Sequence, residues 1–136
     1  MDNEAVVRRA IDAIWNRGEL CEADELFDPG YVNHNGLIPD LVRGPEAIKI
    51  SVVFYRTAYP RLYIKVEESR SEGDTVVTTW AAYPEVPLGR EERATKVQRL
   101  MAGITRIRLL HGKIIESWTQ WDCGDLASRG DDPDVT

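Results

Sequence analysis

The chain has 136 residues, enough for one domain whose core buries roughly two thirds of the unfolded surface. Hydrophobic residues at 43% and charged residues at 29% argue against disorder, and the longest uncharged apolar run falls far short of the ~20 residues of a membrane-spanning helix. A net charge of -6, from 23 acids and 17 bases, argues against a nucleic-acid partner, which requires a basic face.

The N-terminal stretch MDNEAVVRRAIDAIW is charged throughout and has no signal-peptide apolar segment, so the chain reads as cytoplasmic, with no membrane association. Within residues 2–17, Val6, Val7, Ala10, Ile11, Ile14 and Trp15 recur at three- and four-residue steps. That spacing predicts an amphipathic helix with Asp2 or Asn3 as N-cap, Trp15 in the core and Gly18 past the end. A second short helix is predicted over 20–27, stopping at Asp28-Pro29-Gly30. The Gly-, Pro- and Asn-rich segment 31–47 reads as an irregular loop. A third helix is predicted over 44–60, with Pro45 in its first turn and Pro60 at its end.

After Pro60 the apolar period falls from about 3.6 residues to 2. Segments 62–72 and 74–86 flank Gly73-Asp74 and read as a hairpin; 97–110 and 113–122 flank His111-Gly112 and read as a second. Gly103, inside the longer strand, suggests a bulge or a bend. Between the hairpins, GREERATK reads as a solvated connection. The acid-rich end beyond Asp122 reads as a frayed tail, leaving about 4–130 ordered in one domain spanning 1–136. Helices first and antiparallel strands afterwards give an α+β fold, with three N-terminal helices on one face of a curved sheet.

The last strand, KIIESWTQWD, ends in a carboxylate. Simple alternation puts Glu116, Trp118, Gln120 and Asp122 on one face, and Ser117, Thr119 and Trp121 on the other. If the Trp118 face lines the inside of the fold, Gln120 and Asp122 face a hollow beside aromatic rings. Poor solvation there would favour a neutral carboxyl and fit it for proton transfer next to a carbonyl. The plainer alternative is an Asp that caps the following turn in water.

The passages LFDPGYVNHNG, FYRTAYPRLYIKVEESRSEGDTVVTTWAAYP and GITRIRLLHGKIIESWTQWD together resemble the SnoaL-like polyketide cyclases. These belong to the nuclear transport factor 2-like superfamily, beside ketosteroid isomerase and limonene epoxide hydrolase. The resemblance implies a cone-shaped α+β barrel with a ligand-binding cavity. It also implies aldol ring closure by an Asp matching Asp122, without metal or cofactor, and a homodimer formed through the sheet face. The family's glycine-rich passage between the hairpins is reduced here to PLG, so the substrate does not carry over.

His34, in NHNG, is placed near the pocket by the same resemblance and is a candidate second proton-transfer group, the alternative being a loop histidine bonded to backbone. Gln120 is a candidate for orienting Asp122 or holding a carbonyl. Tyr31, Phe54, Tyr55, Tyr59, Trp80, Tyr83 and Trp118 are candidates for an aromatic wall around a small hydrophobic molecule. Val76, Thr78 and Trp80 share a parity that would suit a dimerising outer face. Arg99, Arg106 and Arg108 would serve an epoxide hydrolase if they pointed inward. His111 reads as an exposed turn residue, and two histidines do not make a multi-His metal site. Cys21 and Cys123 read as small, half-buried thiols. A non-catalytic protein holding a small apolar molecule in the same cavity is the competing reading.

Overall fold

The structure is a computed structural model that describes residues 2–34, 42–86 and 98–122, except for the side chain of Asp122. Expectations for Cys123, the charged connection and the C-terminal tail lie outside the described residues.

Helix α1 spans Asn3–Arg9 and is capped by Asp2, whose carboxylate accepts the Ala5 N–H at 2.8 Å. It continues without a break into a π-helical stretch, Ala10–Asn16, in which the Arg17 N–H reaches back five residues to the Asp12 carbonyl. Wider turns broaden the buried face. Ala13 is buried beside Ile14, and the chain end swings toward the sheet. There Asn16 accepts the Ile64 N–H at 2.6 Å and donates to the Ile64 carbonyl at 3.0 Å, standing in for a strand neighbour at the sheet edge. Arg56 donates to the Trp15 and Asn16 carbonyls at 2.9 and 3.1 Å, closing the helix end. Helix α2 is Glu22–Leu26, and helix α3 is Pro45–Ala58 with Pro45 in its first turn.

Strand β1, Phe27–Asn33, takes the place of the end of the second helix, its stop at 28–30 and the start of the loop expected over 31–47. It escapes periodicity because Asp28-Pro29-Gly30 interrupts its register, and Pro is tolerated on an edge strand. The other strands follow expectation: β2 Tyr63–Glu72, β3 Thr75–Tyr83, β4 Met101–Leu110 and β5 Lys113–Asp122. The order is β1-β5-β4-β3-β2, parallel between β1 and β5 and antiparallel elsewhere. The sheet is curved but does not close, so the expected barrel is an open α+β cone with β1 and β2 as edges. At the β4–β5 turn, His111 and Gly112 both have positive φ (54° and 78°), the signature of a two-residue type I′ hairpin.

Val6, Val7, Ile11 and Ile14 from the first helix pack with Leu26, Phe27, Ile48, Val52, Leu109 and Ile114 to form the core. Val76 belongs to this core, and Thr78 and Trp80 also point inward. None of the three lies on the outer face expected for dimerisation, where Val77, Thr79 and Ala81 stand instead. Gly103 does not break the ladder. Pairing runs through it, and Trp80 packs over it so closely that a Cβ would fall 2.7 Å from the indole Cζ2. Cys21 is exposed, not half-buried, because it precedes α2 on the solvent side.

Candidate functional site

Between the helices and the concave side of the sheet lies a hollow of about 410 Å³. That size is within the ~300–1,000 Å³ of small-molecule sites. Trp15, Tyr55 and Tyr59 bound it from the helical side, and Trp80, Ile107 and Trp121 from the sheet. Trp80 and Trp121 meet edge to face, 5.7 Å apart at 88°. Among the described residues, no carboxylate, imidazole, ammonium or guanidinium lines the hollow. Nor is there a group of three or more His, Cys, Asp or Glu placed to hold a metal ion.

The polar residues that line the hollow are tyrosines, serines and threonines with their hydroxyls, Asn33 with its carboxamide, and the three tryptophans Trp15, Trp80 and Trp121. Tyr31, from β1, is 2% exposed, and its phenol bonds the Ser117 hydroxyl at 2.7 Å. Burial pushes the Tyr31 pKa up to about 12, against the smaller opposing effect of the Ser117 bond. The phenol is therefore neutral across the physiological range, and either hydroxyl of the Tyr31–Ser117 pair can be the donor. Trp80 Nε1–H donates to Thr105 Oγ1 at 2.8 Å, and Thr105 in turn bonds Thr119 at 3.0 Å. Thr78, Thr105 and Thr119 are direct cross-strand neighbours on β3, β4 and β5.

Of the expected aromatic wall, Tyr31, Tyr55, Tyr59 and Trp80 line the hollow. Phe54 is 55% exposed and lies edge-on to Tyr55; Tyr83, Trp118 and Gln120 are not lining residues. The cause is in β5. Ile114 points into the core, but a bulge at Ile115 lets Arg108 pair with Glu116 while Leu109 pairs with Ile114. One extra residue inverts the parity beyond it, so Ser117, Thr119 and Trp121 face the hollow and the Trp118 face points outward. Asp122 pairs with Ala102 at the end of β5, directly after Trp121, and its side chain lies outside the described residues.

His34 lies on the outer side with these residues. Its ring stacks on Trp118 at 4.7 Å and 4°, and its Nε2 is 3.0 Å from Glu116 Oε1. Its backbone N–H donates to the Ser117 carbonyl, extending the β1–β5 ladder. Arg108 contacts Glu116 at 2.8 Å and Asp74 at 3.1 Å, and Arg106 approaches Glu72 at 3.7 Å. The His34 hydrogen bond first, and Arg108 second, hold the Glu116 carboxyl below the usual carboxylate range. Arg106 and Arg108 thus serve outer-face ion pairs, and Arg99 does not line the hollow, so the inward arginine of an epoxide hydrolase is not among the described lining residues. Residues missed from sequence are Trp15 as a cavity wall, Trp121, Ser51, Ser117 and the three threonines. The available signal was charge parity: Arg106 and Arg108 on β4 mark a wet face, and Thr105 and Ile107 the dry one.

The family model for SnoaL-like polyketide cyclase matches residues 5–128. The chain belongs to this family. Among solved structures, this SnoaL-like chain is similar to a proposed SnoaL-like polyketide cyclase from Jannaschia sp. CCS1. Identity is 28% and the TM-score 0.65, covering 93% of this chain and 88% of that one. IdmH, a proposed polyketide cyclase from Streptomyces antibioticus, matches with a TM-score of 0.69 at 22% identity, over 90% and 93% of the two chains. A proposed polyketide cyclase from Acidithiobacillus ferrooxidans matches with a TM-score of 0.71 at 16% identity, over 95% and 96%. These last two likenesses bear on the fold alone. No curated protein matches the chain.

Proposed function

We propose that this SnoaL-like chain is a small enzyme that performs general acid/base chemistry on an apolar carbonyl compound held in the hollow. The observation that carries the reading is a hollow walled by indole and phenol rings whose polar groups are uncharged: hydroxyls, indoles and the Asn33 carboxamide. Such a wall suits a flat, mostly apolar molecule and supplies donors for an oxygen on which negative charge develops. The proton acceptor in this proposal is Asp122: its backbone register follows the outward row of Trp118 and Gln120, and the proposal requires its carboxylate to turn over the end of β5 toward the hollow beside Trp121. It takes the proton from the carbon next to a carbonyl, the C–H electron pair becomes an enolate, and a hydroxyl donor holds the enolate oxygen. Ring closure follows when that carbon attacks a second carbonyl and the resulting alkoxide recovers the proton; isomerisation follows when the proton returns to a different carbon. His34 and Gln120 have no part in this scheme.

The test is proton exchange, which needs no knowledge of the natural substrate. Bicyclic and tricyclic ketones and β-keto esters are incubated with protein in deuterium oxide, and deuterium entry at the α-carbon is followed by NMR. The expected result is that wild type accelerates exchange in the compounds it binds, while Asp122→Asn binds them equally and loses roughly 10²–10⁴-fold in rate. Equal exchange by the two proteins defeats the assignment. A second reading, a non-catalytic holder of the same kind of molecule, is favoured by the lack of any acid among the described lining residues. It predicts binding without accelerated exchange in wild type.

A further inference from the structure

One polar group of the hollow is left over by the hydrogen-bonding scheme above. Thr78 is 1% exposed and lines the hollow, yet its Oγ1 has no hydrogen-bond partner among the described residues. A buried hydroxyl without a partner is costly, and native proteins leave few of them. The same cross-strand row shows where its neighbours direct their bonds. Indole N–H is a donor only, so Thr105 Oγ1 accepts from Trp80, and a second of its three hydrogen-bonding positions goes to Thr119. Thr78 sits directly opposite Thr105 in the ladder but is not bonded to it. A valine would fill the same volume without an unpaired hydroxyl, so packing alone gives no reason for threonine at this place. The two tryptophans beside the row, Trp80 and Trp121, offer flat apolar faces to whatever meets it.

We infer that Thr78 is a specificity-determining residue: a planar ring compound seated against the Trp80–Trp121 pair, beside the threonine row, displaces the cover of its sealed hydroxyl, which then hydrogen-bonds a keto or phenolic oxygen of that compound. This deepens the proposed function and rests on its claim that the hollow takes an apolar carbonyl compound. Thr105 and Thr119 act as positioning residues, since their mutual bond and the indole bond fix the wall against which the ligand oxygen lies. Because a hydroxyl both donates and accepts, the contact selects for oxygen at that position and not for one protonation state of it.

The experiment uses a matched pair of probes that differ by one oxygen, 1-tetralone and tetralin, titrated into the full chain and followed by NMR. Wild type is expected to bind the ketone more tightly than the hydrocarbon by roughly threefold to tenfold after correction for their transfer from water, as one net hydrogen bond implies. Thr78→Val abolishes that preference, leaving the two affinities equal. Thr78→Ser, which keeps the hydroxyl, restores it. The urea midpoint of free Thr78→Val equals or exceeds that of wild type, since no internal partner is lost; a fall would reveal such a partner and overturn the inference. No ketone preference in wild type, or a preference surviving in Thr78→Val, overturns the inference and leaves the proposed function standing. Binding of neither probe overturns both.

Discussion

Gly103→Ala separates two physical expectations of opposite sign. In a strand interior, Ala is ordinarily the better residue by about 0.5–1 kcal/mol, so backbone entropy alone predicts a gain. The packing predicts a loss. A Cβ at 103 would lie 2.7 Å from Trp80 Cζ2, 3.1 Å from Trp80 Cε2 and 3.1 Å from the Gln120 carbonyl oxygen. The carbonyl belongs to the paired strand and does not move cheaply, so the indole must shift, and its Nε1–H is bonded to Thr105 at 2.8 Å. Forcing a methyl into a filled core costs about 1–3 kcal/mol, and loosening the indole bond costs about 0.5–1.5 kcal/mol. After the backbone gain, a net loss of about 2 kcal/mol remains, a fall in Tm of roughly 8 °C for a domain of this size. The decisive assay is a double-mutant cycle by chemical denaturation. In a Trp80→Phe background, where the six-membered ring of the indole is gone, Gly103→Ala should cost close to nothing, giving a coupling of about 2 kcal/mol. If Gly103→Ala lies within about 0.5 kcal/mol of wild type, or costs the same in both backgrounds, the account of Gly103 as room for Trp80 is refuted.

Two further predictions concern the polar pairs on either side of the sheet. Tyr31→Phe strands the buried Ser117 hydroxyl and should cost about 1–3 kcal/mol by urea denaturation, part of which adding Ser117→Ala recovers. On the outer face, Glu116 is held below the ordinary carboxylate range by its bonds from His34 and then Arg108, and Asp74 by its bond from Arg108. A carboxyl lowered on folding contributes its stability above its unfolded value of about 4 and loses it as pH falls through the folded value. The urea midpoint should therefore decline as pH drops below about 4, and Arg108→Ala should make that decline shallower. An unchanged slope would mean that these exposed pairs contribute nothing measurable.

The helices and hairpins were legible because their signals are local. Asp2, Gly18, Pro45 and His111-Gly112 punctuate the chain, and the change of period at Pro60 divides helices from strands. The π-helical stretch was not legible, since Ala10–Asn16 is compatible with an ordinary helix, and only contact with β2 rewards Asn16 for reaching Ile64. Strand β1 was hidden for a similar reason: Pro29 and Gly30 are turn residues by composition, and only pairing with β5 makes them a strand. Four of the aromatic wall residues, Tyr31, Tyr55, Tyr59 and Trp80, were found as aromatic residues and not by face: Tyr31 lies in the strand read as a loop, and Trp80 was also read onto the outer face. In the aliphatic stripe that runs from helix α1 into the π-helical stretch, Trp15 is both core packing and cavity wall, a distinction that periodicity does not carry.

The error in β5 has a single cause, and it links the chemistry of the two faces of the sheet. Reading outward from Ile114 with strict alternation puts Glu116, Trp118, Gln120 and Asp122 on the face of Ile114. Ile115 is the extra residue of a bulge, and beyond it each position changes sides. An uninterrupted strand would turn the Glu116 carboxylate toward an apolar interior, away from Arg108, at a desolvation cost that a paired surface position avoids. With the bulge, Glu116 meets His34 and Arg108 in reach of water, while Ser117 meets the buried phenol of Tyr31 and Thr119 meets Thr105. One inserted residue thus exchanges a charged row for a hydroxyl row on the wall of the hollow. The hollow depends on that exchange, since it is what brings Trp121 to face Trp80 across Gly103, beside the threonine row.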